Sequence, residues 1–160
     1  MAQFTHGAVG YTPVAHADGA SSLANASYQA VRGGAATQLA RIVETFIGGE
    51  AATSTVNRMA LRRLSTNATT PTDQTPAPLN IYSGVAVAQG YVAASTGPTI
   101  AATQHLLNLA FNAFGGIIRW VAAPGEEIYF GTTTAPNAQV VLDSISGTGV
   151  VSQDIKWEEM

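Results

Sequence analysis

The stretch of sequence that decides the fold lies near the C-terminus and reads Val150-Val151-Ser152-Gln153-Asp154-Ile155-Lys156-Trp157-Glu158. From Val151 onward, its large apolar residues stand an even number of positions apart, with polar residues between them. Successive side chains of a β-strand point to opposite faces of the sheet, so this alternation predicts a strand with one buried and one solvated face. Trp157 should be buried with Ile155 and Val151. Lys156 and Glu158 should face solvent.

The segments just before this strand have a similar composition. Apolar and β-branched residues fill 117–121, 126–130 and 139–145, and turn-forming residues separate them, namely Pro124-Gly125, Pro136-Asn137 and Gly147-Thr148-Gly149. Short apolar runs with such turn residues between them are typical of paired antiparallel strands. The last third of the chain is therefore predicted to be an antiparallel meander.

Further strands are predicted in the middle of the chain. Residues 38–47 end at a glycine pair, and 55–64 and 85–92 are also predicted as strands, whereas 65–80 contains three prolines and is predicted as a surface loop. Residues 101–114 combine helix-forming composition with strand-like alternation. Seven or eight strands without alternating helices predict a mainly β protein, an antiparallel β-sandwich or jelly roll.

The N-terminal residues 1–27 differ from the rest because they contain few large apolar groups. Such a segment buries too little surface to offset its own ordering entropy. We predict an extended N-terminal arm over 1–27 and one β-sandwich domain over 28–160. The arm is either mobile or ordered by lying across a neighbouring subunit, in which case Phe4 and Tyr11 would anchor it.

The composition favours self-association. Charged residues make up 11% of the 160 residues and hydrophobic residues 46%, whereas a soluble domain usually has about 25% charged residues. Low charge removes the repulsion that keeps small domains apart, which predicts an oligomer, most simply a homotrimer. The sequence contains no cysteine, so stability must come from packing or assembly.

Charge and hydropathy also bear on the partners. Seven Lys and Arg residues with no basic run give no footprint for nucleic acid, and no apolar stretch is long enough for a membrane span. No basic and apolar signal peptide opens the chain, which predicts a soluble protein made in the cytoplasm. In the strand over 55–64, Arg58 and Arg62 should share one face, opposite Arg63, as interface or solvent residues.

Catalytic and metal-binding patterns are weak. No Gly-x-Ser-x-Gly turn is present, and the three histidines are His6, His16 and His105. His6, His16 and Asp18 could converge on a metal only if the arm folded on itself. We therefore predict a non-enzymatic protein without cofactor or metal. Four aromatic residues could either pack in a core or form a sugar-binding platform: Trp120, Tyr129, Phe130 and Trp157.

Several segments of the sequence resemble those of small head-decoration or cement proteins of tailed phages. They are Ile47-Gly48-Gly49-Glu50-Ala51-Ala52, Asn57-Arg58-Met59-Ala60-Leu61-Arg62-Arg63, Phe114-Gly115-Gly116-Ile117-Ile118-Arg119-Trp120 and Pro124-Gly125-Glu126-Glu127. The resemblance implies a jelly roll or sandwich, often trimeric, that sits on junctions of the major capsid protein and braces the virion shell.

This hypothesis makes interfaces with other virion proteins the functional sites. The candidate interface residues are Phe4, Tyr11, Arg58, Arg62, Trp120 and Tyr129. The alternative hypothesis is a carbohydrate-binding module or a tail or receptor-binding module of a phage particle.

Overall fold

The computed structural model describes residues 1–16, 22–131 and 138–160, and over these residues the fold is mainly β. The strands are β1 (Ala2–Tyr11), β2 (Tyr28–Arg32), β3 (Leu39–Gly49), β4 (Val56–Thr66), β5 (Thr69–Gln74), β6 (Ala77–Pro78), β7 (Gln89–Thr96), β8 (Thr99–Asn112), β9 (Ile117–Val121), β10 (Ile128–Gly131), β11 (Val140–Ser146) and β12 (Val151–Glu159).

These strands form two antiparallel sheets of six strands each. Sheet A has the order β10-β3-β12-β1-β6, with β9 also paired to β3, and sheet B has the order β5-β7-β2-β11-β4-β8. Strand β12 lies between β1 and β3, and β11 lies between β2 and β4. The last two strands of the chain are therefore central strands, β12 in sheet A and β11 in sheet B.

One buried cluster joins the sheets. From sheet A it contains Phe4, Ile42, Ile47, Phe130, Val151, Ile155 and Trp157, and from sheet B it contains Val31, Met59, Leu61, Val140 and Leu142. The ring centroid of Trp157 lies 6.4 Å from that of Phe4 and 5.9 Å from that of Phe130. Apolar side chains of both inner faces thus share one core, with Trp157 among its largest members.

The predicted terminal strand is confirmed as β12. Val151, Ile155 and Trp157 are fully buried, and Lys156 and Glu158 are partly exposed on the opposite face. The alternation sets this register because a slip of one residue would move the apolar set into water.

The strands predicted over 38–47 and 55–64 are confirmed as β3 and β4, and 101–114 resolves to strand β8. Two further predictions for the middle of the chain differ from the structure. The loop predicted over 65–80 contains β5 and β6, and the strand predicted over 85–92 begins only at Gln89. Strand β5 is a mostly exposed edge strand of sheet B that is held by its backbone hydrogen bonds, so its side chains show no strand alternation. An edge strand also tolerates a proline such as Pro71.

The predicted meander is wrong. Strands β9 and β10 both pair with β3, and β11 and β12 lie in different sheets. Strand pairing here follows burial in the shared core rather than order along the chain. The predicted turn at Pro136-Asn137 lies outside the described residues.

The predicted N-terminal arm is corrected as well. Strand β1 pairs along the length of β12, and Phe4 is 1% exposed. The amide of His16 donates to the carbonyl of Ser144 at 2.8 Å, and Leu23 is buried in a second cluster on sheet B. The domain therefore begins at residue 2 instead of 28. A strand can be held by its backbone and one large side chain, so a small-residue composition does not exclude it.

Candidate interaction surface

Nine large apolar side chains that stay exposed belong to segments at one end of the two sheets, whereas others, such as Val9, Val56 and Ile117, are exposed elsewhere. We call this group the apolar end, and its members are Met1, Leu39, Leu79, Ile81, Tyr82, Val85, Val87, Tyr129 and Met160. Each is at least 40% exposed. Single exposed apolar residues are ordinary, whereas a contiguous group is typical of an interaction site.

Hydrogen bonds bring the separate parts of this end together. The amide of Met160 donates to the carbonyl of Leu39 at 3.2 Å, which joins the C-terminus to the start of β3. The amide of Val87 donates to the carboxylate of Glu159 at 3.1 Å, which ties the segment before β7 to the end of β12. Both chain termini and the connection between β6 and β7 therefore meet here.

The largest piece of the apolar end is the 79–87 loop. Asn80 fixes a turn in it, since its side-chain Oδ1 accepts the amide of Tyr82 at 3.0 Å. Ile81, Tyr82 and Val85 are 84%, 90% and 79% exposed. The loop thus holds three large apolar side chains in water, although burying each one would be favourable by about 1.5–3 kcal/mol.

The outer face of sheet A has the opposite character. Arg41 forms an ion pair with Glu158 at 2.7 Å, and Arg119 and Lys156 each lie 2.9 Å from the carboxylate of Glu44. The hydrogen bond from Arg119, joined by that from Lys156, lowers the pKa of Glu44 to about 2. These charged side chains form a paired, solvated network on this face.

Two of the predicted interface residues are buried inside the chain. Phe4 packs against Trp157 in the core, and Arg62 is fully buried, with its Nε donating to Asp143 Oδ1 at 2.9 Å. The carbonyl of His16 accepts a further bond from Arg62 at 3.3 Å. A partner cannot reach either side chain in the folded subunit, so the prediction is wrong for Phe4 and Arg62. Alternation alone does not show that a strand is covered on both faces.

The other four candidates stay at or near the surface. Tyr11 and Trp120 are partly buried against the core, and Arg58 and Tyr129 are exposed. Only Tyr129 belongs to the apolar end. The interface role of these four residues stays a prediction.

The predicted aromatic platform is not assembled. Phe130 and Trp157 are 1% and 0% exposed and pack against each other edge to face, so they belong to the core. Trp120 faces inward beside them, and Tyr129 points to the other face of sheet A. Sequence neighbours on a strand lie on opposite faces, which separates Tyr129 from Phe130.

A buried polar cluster around His6 was not predicted. Gln29 Nε2 lies 2.9 Å from His6 Nδ1, and His6 Nε2 contacts the side-chain oxygen of Gln74. Burial lowers the pKa of His6, and this bonding suits the neutral ring because Nδ1 accepts while Nε2 donates. Gly90 leaves room for the ring, since a Cβ there would lie 2.3 Å from it. No pattern in the sequence links these residues.

Metal and membrane features are absent from the residues that the structure describes. In that part of the chain, no three His, Asp or Glu side chains gather as metal ligands. Nor does a described helix reach the length and apolar character needed to cross a bilayer. No protein-family model, curated protein or solved structure matched the chain.

Proposed function

We propose that this chain is a non-catalytic structural protein that binds other protein subunits through its apolar end. The observation that carries the proposal is the 79–87 loop, whose Ile81, Tyr82 and Val85 are exposed on a hydrogen-bonded turn. The low charge content supports it, because neutral surfaces lose little on dehydration.

In its specific form, the proposal is a capsid decoration or cement protein of a tailed-phage virion, as the resemblance implies. Its partners would be the major capsid protein and further copies of itself, in a homotrimer. Repeated, symmetric contacts let modest interfaces reach high avidity, which suits a protein that braces a shell. The shared core of the two sheets supports the predicted sandwich, and the jelly-roll connectivity stays a prediction.

Replacing the three exposed loop residues by serine, as Ile81→Ser, Tyr82→Ser and Val85→Ser together, tests the proposal. These side chains make no core contact, so the thermal transition of the subunit should change little. Sedimentation velocity at micromolar concentration should show a trimer for the unmodified chain and a monomer for the variant. The variant should also bind purified phage shells more weakly.

The matched control makes the same kind of change at the opposite end of the sheets, where Val9 and Val56 are 83% and 68% exposed. The Val9→Ser, Val56→Ser variant should keep the oligomer and the shell binding. A monomer of 16.5 kDa for the unmodified chain, or equal binding by both variants, would contradict the proposal.

A further inference from the structure

A cavity of about 510 Å³ opens between the two sheets beside the apolar end. Its size lies within the range of small-molecule sites, about 300–1,000 Å³. The segment just before β3, the start of β3, the end of β10, β4 and β8 line it. Its polar and aromatic members are Thr37, Gln38, Arg63, Gln104, Tyr129 and Phe130.

Arg63 is the unusual member of this lining. It pairs with Val140 on β11 and so lies on the inner face of sheet B with Leu61, facing the core. Its side chain is partly buried, and no residue in the described part of the chain gives its guanidinium an ion pair or hydrogen bond. Burial lowers the pKa of Arg63 without any opposing contribution from a carboxylate.

An unpaired, partly buried guanidinium is costly, because burial removes its water without supplying a protein acceptor. The neighbouring buried Arg62, by contrast, has its charge neutralised by a bidentate contact with the carboxylate of Asp143. Residues 132–137 follow the cavity-lining Gly131, and their sequence contains no acidic residue. Arg63 therefore suits an anion that comes from outside the chain.

The other polar groups of the cavity indicate which further chemical groups the anionic ligand has. Gln38 Oε1 already accepts the amide of Gly34 at 2.8 Å, so the Nε2 of Gln38 remains as a donor at the cavity. Gln104 adds a second side-chain amide. Two side-chain amide donors suit a ligand with several hydroxyl groups.

We propose that this cavity binds an acidic sugar, with the sugar carboxylate on Arg63 and its hydroxyl groups on Gln38 and Gln104. One guanidinium matches one carboxylate, since a planar bidentate pair satisfies both groups. A phosphate dianion would call for a second cation, and none lines the cavity. This inference goes beyond the proposed function and does not depend on it.

Titration with sodium glucuronate, followed by amide NMR shifts, tests the site, with glucose and sodium acetate as separate probes. Glucuronate should shift the NMR signals of amides around Arg63, Gln38 and Tyr129. Glucose, which lacks the carboxylate, and acetate, which lacks the hydroxyl groups, should each bind at least about tenfold more weakly. An oligomer of uronic acid shows whether the site takes a free sugar or part of a polysaccharide: tighter binding than the monomer indicates the latter.

Arg63→Gln should weaken glucuronate binding by about 10- to 100-fold, the usual effect of losing a hydrogen-bonded charge. Arg58→Gln, an exposed change on the same strand, should leave it unchanged. Arg63→Met should bind no glucuronate yet remain at least as stable as the unmodified chain, because it removes an unpaired charge.

Two results would overturn the inference. The first is glucuronate binding that is the same for Arg63→Gln and the unmodified chain, or absent from both. If, in that case, Arg63→Gln also disrupts the oligomer, the cavity binds a carboxylate of another protein subunit instead. The second concerns Asp18, the one acidic residue outside the described part of the chain. A stability coupling between Asp18→Asn and Arg63→Gln in a double-mutant cycle would show that Arg63 already has a partner.

Discussion

Replacing Trp157 by alanine should be among the most damaging single changes in this chain. The side chain is fully buried and lies between the rings of Phe4 and Phe130 at centroid distances of 6.4 and 5.9 Å. Truncating a buried Trp typically costs about 3–5 kcal/mol, and the two aromatic partners place this site in the upper part of that range. A domain usually has only about 5–15 kcal/mol of stability in total.

For a chain of this length, such a loss lowers the melting temperature by about 6–20 °C. Urea denaturation followed by far-UV circular dichroism measures the change without relying on the deleted fluorophore. Trp157→Phe should cost clearly less, because it keeps an aromatic ring and the Nε1 of Trp157 has no hydrogen-bond partner in the described residues.

Lys156→Ala is the matched control on the opposite face of β12. Lys156 contacts Glu44 at 2.9 Å, but Arg119 keeps that carboxylate paired when the lysine is removed. The free energy of unfolding should change by no more than about 0.5 kcal/mol. If Trp157→Ala and Lys156→Ala proved equally stable, β12 would not be part of the core and the reasoning would be refuted.

Three further predictions concern stability. Deleting residues 1–11 should prevent cooperative folding, because β1 covers one edge of β12 and contributes Phe4 to the core; a thermal melt with an unchanged midpoint would contradict this. Asp143→Asn should cost about 3–5 kcal/mol by leaving Arg62 buried without its counter-charge, and the double change Arg62→Met, Asp143→Leu should recover much of that loss in urea melts. The lowered pKa of His6 means that its contribution to stability is present above about pH 6.5 and is lost as the pH falls, because the unfolded chain takes up the proton first. His6→Gln should flatten this pH dependence in denaturant titrations between pH 7 and about pH 5, and an unchanged slope would exclude His6 as its source.

The interaction surface was harder to predict than the strands. The sequence shows that the chain has few charges, but Leu39, Ile81 and Met160 are far apart in it. Leu39 and Met160 meet because Leu39 begins β3 and Met160 follows β12, which pair as neighbours in sheet A, and the hydrogen bond from Val87 to Glu159 brings the 79–87 loop to the same end. The same holds for Arg63. The sequence places it on a strand with Arg58 and Arg62, but it does not show which of the three arginines forms an ion pair, which is exposed, and which is partly buried without an ion pair in the described residues.

The sequence by itself determined the mainly β character of the fold, the burial of Val151, Ile155 and Trp157, and the low charge content. These features are local, since alternation and composition need no knowledge of which strands become neighbours. The tertiary structure alone decided that β1 is a sheet strand, that β9 and β10 share β3, and that Arg62 and Asp143 are buried together. The physical reason is that antiparallel pairing joins residues more than a hundred positions apart, and the free energy that selects those pairs comes from burial in a common core that no single segment encodes.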